Sequence, residues 1–354
     1  MNSIELYILD ESMSVIGIID TFKSLIWTKR FYECGDFELY IKSSTEILNL
    51  IERGYFIYRN DDDMMCLIED YQVQTDVDEG DYLMVIGRCL KGLLDTRIVW
   101  SQTNLYGRVE ECVRRLIDFN CINPTNTNRI IPNLVLGELQ GFEERMEQQI
   151  TGDNIYDTVL AICKNYKIGS KIIYDTDRNK FVFEMIKGVD RSYNQDINPY
   201  VVFSAEFDNL TKSNYSYVTQ KYKNTALVAG EGEGIARKTV AVNNERAGLA
   251  RRETYVDARD VSSNEGEITE NDYAILLQGR GQQTLLESEP ERSVEGEVET
   301  QGQYTYNVDY FLGDVVQVKN RYGIEAVATI TESIESFDDT GHKIIPTFSA
   351  WELS

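Results

Sequence analysis

The sequence predicts a mainly β fold with an α+β insertion: two barrel-like, strand-rich regions bracketing a helix-containing module. Three observations carry this expectation. Short apolar and aromatic runs separated by acidic turns fill the first part of the chain. The periodicity then changes from two to about 3.6 residues, the repeat of an amphipathic helix. Alternating aromatics return near the C-terminus, as in "SNYSYVTQKY" and "QYTYNVDYF". The divisions predicted are 1–94, 95–199 and 200–354, with a helix inserted in the last near 269–288.

In the first region "SIELYILDE" and "SVIGIIDTF" read as strands, and "SLIWTKRFYECGDFELYIK" as two strands around a Gly35-Asp36 turn. At least three more strands follow between Gly54 and Leu90. Their turns are Asp61-Asp62-Asp63, read as a solvated turn, and Asp78-Glu79-Gly80-Asp81. In "NLYGRVEECVRRLIDFN", Leu105, Val109, Cys112, Val113, Leu116 and Phe119 recur at helical spacing. A second helix over "TGDNIYDTVLAICKNYKIG" has Ile155, Val159, Ile162, Cys163 and Tyr166 on its apolar face, and Gly169 to stop it. "SKIIYDTD" and "NKFVFEMIKG" are strands. The last region offers strands at "YVVFSAEFDN", "KSNYSYVTQKYKNTALVAG", "IARKTVAVNN" and "RSVEGEVETQ". A helix over "TENDYAILLQGRGQQTLLES" takes Thr269 as its cap, with Asp272 completing a capping box and Gly279 and Gly281 weakening its middle. A strand meander with "LGD" and "YG" turns closes the chain.

Composition excludes several function classes. The 354 residues carry 59 acids against 35 Lys and Arg, a formal net charge of -24. Such an excess opposes adhesion to nucleic-acid backbones or anionic lipid. No apolar run is long enough for a membrane span, and the acidic N-terminus lacks the basic start of a signal peptide. The 6 cysteines form no CxxC pair and read as reduced, buried residues. With His342 the sole histidine, no metal site is expected.

Nor does any motif specify catalysis or a cofactor. "GEGEG", Gly230 to Gly234, has neither the lysine of a phosphate-binding P-loop nor the helix that follows a dinucleotide loop. Strand formers follow it instead, so it reads as a tight exposed turn or bulge between strands. GxSxG and HExxH are missing. Arg246, Arg251, Arg252 and Arg259 lie among acids in "NNERAGLARRETYVDARD", the pattern of an ion-paired loop or of a contact with a neighbouring subunit. Glu231, Glu233, Arg251 and Arg252 are the candidate inter-subunit or rim contacts; catalytic, cofactor and metal residues are expected to be none.

Four stretches, in this order, carry a family resemblance: "FYECGDFELYI", "LIEDYQVQTDVDEGDYLMVIGRCLKGLLDTRIV", "NTALVAGEGEGIARKTVAV" and "YFLGDVVQVKNRYGIEAVATITE". The chain resembles the Gp37-like tail proteins of phages and prophages of Gram-positive bacteria. The resemblance implies a structural baseplate hub with two barrel-like hub domains, 1–94 and 200–354, and a peripheral module, 95–199. It implies a homotrimer forming a pseudo-sixfold ring between the tail tube protein and a central spike or tip protein. Other baseplate proteins would be neighbours, and a tape measure protein or DNA would pass through the channel. Assembly would take place in the host bacterial cytoplasm, in a virion tail or a tail-like bacteriocin. With no further module after "FSAWELS", a separate spike, tip or hydrolase partner is expected. The alternatives are a tail-tip cell-wall hydrolase, needing a catalytic carboxylate pair in a concave site, and a receptor-binding tail module.

Overall fold

The computed structural model describes residues 4–76, 80–298, 303–323 and 325–353. The N-terminal region forms β1 (Leu6–Leu9), β2 (Val15–Ile19), β3 (Ser24–Arg30), β4 (Asp36–Lys42), one turn of helix α1 (Thr45–Leu48), β5 (Phe56–Arg59), β6 (Met65–Asp76) and β7 (Gly80–Cys89). Period-two sequence becomes period-two burial: in β7, Leu83, Val85, Gly87 and Cys89 face inward while the residues between them are half-buried. Asp78 and Glu79, two residues of the predicted β6–β7 turn, lie outside the described residues.

The module follows as β8 (Thr103–Arg108), α2 (Val109–Ile117), β9 (Leu134–Leu136), β10 (Arg145–Ile150), α3 (Ile155–Tyr166), β11 (Gly169–Asp175) and β12 (Lys180–Ile186). Its first helix starts later than the periodicity predicts. Leu105 lies in β8, paired with Gln148 of β10; at the other end α2 runs on into a π-helical turn, Asp118–Ile122, where Phe119 is 55% exposed. Buried Glu110 in α2 accepts the N–H groups of Gln140, Gly141 and Phe142 at 2.7, 2.7 and 3.2 Å, holding the loop before β10. Helix α3 starts at Asn154, whose side chain accepts from Asp157 N, and stops at Lys167 in the left-handed conformation. Gly169, the predicted stop, opens β11 instead.

Beyond the module come β13 (Val202–Ser204), β14 (Leu210–Val218), β15 (Thr225–Ala229), β16 (Thr239–Val242), β17 (Glu253–Asp257), α4 (Glu270–Glu287), β18 (Glu291–Val298), β19 (Val315–Lys319), β20 (Glu325–Asp338) and β21 (Gly341–Leu353). Strands β14 and β18 pair antiparallel, with Val218 opposite Glu291, so residues 219–290 sit at the tip of a long hairpin. They form a small sheet, β16-β15-β17, covered by α4. Thr269 caps α4 and exchanges hydrogen bonds with Asp272. Gly281 does not break the helix. A Cβ there would lie 2.6 Å from Val228 Cγ2, so the glycine lets α4 press onto β15. The aromatic run "YTYNVDYF", expected as a strand, is irregular; Tyr310 turns inward against Phe203, and Tyr306 packs against Tyr310.

The two predicted barrels are not present. Thirteen strands from both ends of the chain join one open sheet whose main path runs β14-β18-β21-β20-β3-β4-β7-β6-β5-β1-β2, with β13 and β19 branching beside β20. The joint is β20: it pairs with β19 over Glu325–Thr329 and with β3 over Glu332–Asp338. Its register against β21 shifts between Ile330 and Glu332, the bulge at which the strand passes from one partner to the other. Alternation and turn residues specify local hairpins, and barrels, sandwiches and open sheets share them. Here β3 takes β20 as its second neighbour, fusing the two strand-rich regions instead of closing either. The result is a mixed α/β fold with several sheets.

Candidate functional site: an internal junction and an open sheet edge

Three regions meet at Phe31, just after β3. Its N–H donates to the carbonyl of Thr331 at the β20 bulge (2.9 Å), and its carbonyl accepts from Ser170 N in β11 (3.3 Å). The ring packs against two glycines: a Cβ on Gly169 would come 2.4 Å from Phe31 Cε2, and one on Gly313 2.2 Å. Gly313, in the "LGD" turn, has φ +94°, a conformation that also favours glycine. Buried Lys91 reinforces this point, its ammonium donating to the carbonyls of Tyr32 and Ser170. Arg191 clamps the same turn through Asp314 at 2.7 Å.

A charged network lies along the β3–β20 seam. Arg59, at the end of β5, bonds Asp61 at 2.6 Å and Glu335 at 3.1 Å, and its guanidinium lies 5.0 Å from the Phe337 ring centre. Lys29 reaches Asp62 at 2.7 Å and Asp63 at 3.4 Å, and Lys171 of the module reaches Asp63 at 3.0 Å. The Asp61–Asp63 turn is therefore not simply solvated: Asp62 is nearly inaccessible and serves as a counter-ion. Burial opposes ionisation of Asp63, but Lys29 and Lys171 outweigh it and draw its carboxyl down to about 2. Burial likewise opposes Glu335, where bonds and charges from His342, Arg59 and Lys29 prevail and lower it. His342 is exposed, stacks on Phe337 and places Nε2 3.3 Å from Glu335.

The sheet's free end is β2. It pairs with β1 alone among the described strands and exposes Val15 (55%), Ile16 (37%) and Ile18 (51%). A cleft of about 330 Å³ adjoins it, lined by Tyr7, Leu9, Val15, Tyr58 and Tyr174 among others. An uncovered apolar edge strand is a template for pairing with another chain. At the other end of the path β14 exposes Tyr217 and Val218.

All four contact residues expected from the sequence lie on the 219–290 unit. "GEGEG" links β15 to β16, with Gly232 at φ +94°. Glu231 faces inward in part: it accepts from Ser263 N at 2.9 Å, while its own N–H donates to the Tyr273 hydroxyl at 2.8 Å. Bonds from Ser263 hold its carboxyl below the ordinary range. Glu233 is exposed. Arg251 closes its own loop through Glu253, Asn244 and the Arg246 carbonyl, whereas Arg252 is exposed near Tyr222. Sequence reading passed over Ile235 and Leu249, which stand wholly exposed in the two loops flanking β16; an apolar residue inside a Gly/Ala-rich polar loop was the available signal. Among the described residues no group of three or more His, Cys, Asp or Glu could hold a metal, and no helix is long and apolar enough to cross a membrane.

The fold has known counterparts. A tail protein from Neisseria meningitidis MC58 superposes with TM-score 0.57 at 13% identity, covering 98% of this chain and 96% of that one. The 43 kDa tail protein of prophage MuSo2 from Shewanella oneidensis gives 0.55 at 13% identity, covering 97% and 98%. Prophage tail protein gp18 from Listeria monocytogenes EGD-e gives 0.52 at 13% identity, covering 99% and 95%. No curated protein sequence matches the chain. The family described as "Siphovirus ReqiPepy6 Gp37-like protein" matches residues 5–348, so the resemblance read in the sequence holds over nearly the whole chain, which belongs to that family.

Proposed function

We propose that the protein is a structural component of a phage tail or tail-like particle: a baseplate hub, three copies of which form a pseudo-sixfold ring joining the tail tube to a central spike or tip. The fold it shares with tail proteins over almost their full lengths supports the tail role. The observation that carries the ring is the open sheet. One long sheet ends at β2 with Val15, Ile16 and Ile18 uncovered, and such an edge is satisfied by a strand from a neighbouring chain. On this reading the strand-rich portions, 1–94 and 200–354, build the ring and 95–199 lies outside it. Glu231, Glu233, Arg251 and Arg252 belong to a rim or to contacts with neighbours. The net charge of -24 gives a channel that repels passing DNA or an acidic protein. Assembly precedes release from the host cytoplasm, and the role is mechanical rather than catalytic.

The experiment is assembly with the edge altered. Tails built with Ile18→Lys should lack the hub ring while the isolated variant keeps wild-type stability. Normal tails from that variant would reject the edge as an interface.

A further inference from the structure

Two thiols, remote in sequence, are held together at the base of the N-terminal sheet. Cys34 lies in the turn between β3 and β4, and Cys89 ends β7; both are buried and free. Their sulfur atoms are 3.3 Å apart and hydrogen-bonded. Closing that gap to a disulfide of about 2.05 Å needs a movement of about 1.3 Å. The backbone already brings the two segments together, since Cys89 N donates to the Gly35 carbonyl at 2.8 Å. Tyr156 fixes the other side by accepting from Cys34 N at 2.9 Å.

The two sulfurs are not equivalent. The Cys34 thiol bond, together with the N–H and charge of Lys91, lowers Cys89 against the cost of burial. The bond to Cys89 and burial raise the Cys34 thiol. Cys66 stands opposite Cys89 across β6–β7, but the thiol bond runs to Cys34.

We propose that Cys34 and Cys89 are a latent cross-link that a peroxide closes into a disulfide. The Cys89 thiolate attacks one peroxide oxygen, forming a sulfenic acid as the O–O bond breaks and the other oxygen leaves as water after taking a proton. The Cys34 sulfur then attacks the Cys89 sulfur, loses its proton and expels the sulfenic oxygen as a second water. Two thiols are oxidised and one peroxide is reduced to two waters. In a reducing cytoplasm the pair stays open; outside it, closure ties the landmark "FYECGDF" to "GRCL" and stiffens the sheet next to the Phe31 junction.

Full-length protein, purified reduced and freed of reductant, is treated with hydrogen peroxide, denatured in an alkylating agent and analysed by mass spectrometry. Two of the 6 thiols should be lost, recovered in a peptide joining Cys34 to Cys89 that dithiothreitol splits. The oxidised protein should melt higher than the reduced protein. Cys34→Ser should give no cross-link and accumulate a dimedone-reactive sulfenic acid at Cys89. Retention of all thiols in the wild type, a Cys66–Cys89 link, or sulfinic acid at Cys89 without a cross-link would overturn the proposal.

Discussion

Arg59 and Glu335, 276 residues apart in sequence, bond at 3.1 Å with side chains only 4% and 7% exposed. The pair marks where the two ends of the chain become one sheet. Burying both charges costs solvation that their attraction offsets only in part. Its main effect is selective: β20 docked on β3 in another register would strand Glu335 without a cation.

Replacing Arg59 with Met should therefore destabilise the protein by about 3–5 kcal/mol, because Glu335 stays buried without its main partner. Arg59→Met with Glu335→Leu should recover much of the loss. Urea unfolding of the two variants checks this; an equal or greater loss in the double variant would mean that packing, not charge pairing, dominates the seam.

Gly313→Ala should cost about 2–4 kcal/mol, combining positive-φ strain with a clash against a packed ring. The Phe31 ring is fully buried and also packs closely on Gly169, which leaves it little room to retreat. A thermal midpoint within error of wild type would show that the junction is looser than the geometry implies.

Acid should loosen the seam. Asp63 is drawn down to about 2 and Glu335 is also lowered, from ordinary values of 3.8 and 4.5. The unfolded chain thus binds these protons first. Their stabilisation is full above the unfolded values and is lost as pH falls toward about 2. Burial raises Asp62 instead, offsetting part of the effect. Urea midpoints should stay level down to about pH 5 and drop below about 4, less steeply in Asp63→Asn. Identical slopes in both proteins would remove Asp63 from the account.

Glu231→Gln with Glu233→Gln should change stability by no more than about 0.5 kcal/mol, since an amide oxygen can still accept from Ser263 and Glu233 is exposed. Unfolding of the variant would assign the pair a structural role; normal folding with impaired assembly would support contacts at a rim.

Local features were legible because they depend on local chemistry. The α4 cap at Thr269, the strand-to-strand setting of "GEGEG" and the β11–β12 hairpin followed from residue type and spacing. Closure was not legible, because nothing in "SLIWTKR" states that its second neighbour is "ESIESFD" from the far end of the chain. Asp62 looked like a turn residue because its closest partner, Lys29, comes from β3, more than thirty residues away in sequence, while Arg59, three residues before it, reads only as the end of a strand. Helical periodicity ran on into β8 because Leu105 is buried on a strand as it would be on a helix. The exposed apolar edge of β2 was equally hidden: "VIGII" reads as a core strand until its place at the sheet's end is known.

The central claim is most directly tested by electron microscopy of the assembled tail tip. The account predicts three copies around the tail axis, forming a ring between tube and spike with β2 at a boundary between chains. Copies found only in peripheral fibres, with β2 facing solvent, would contradict it.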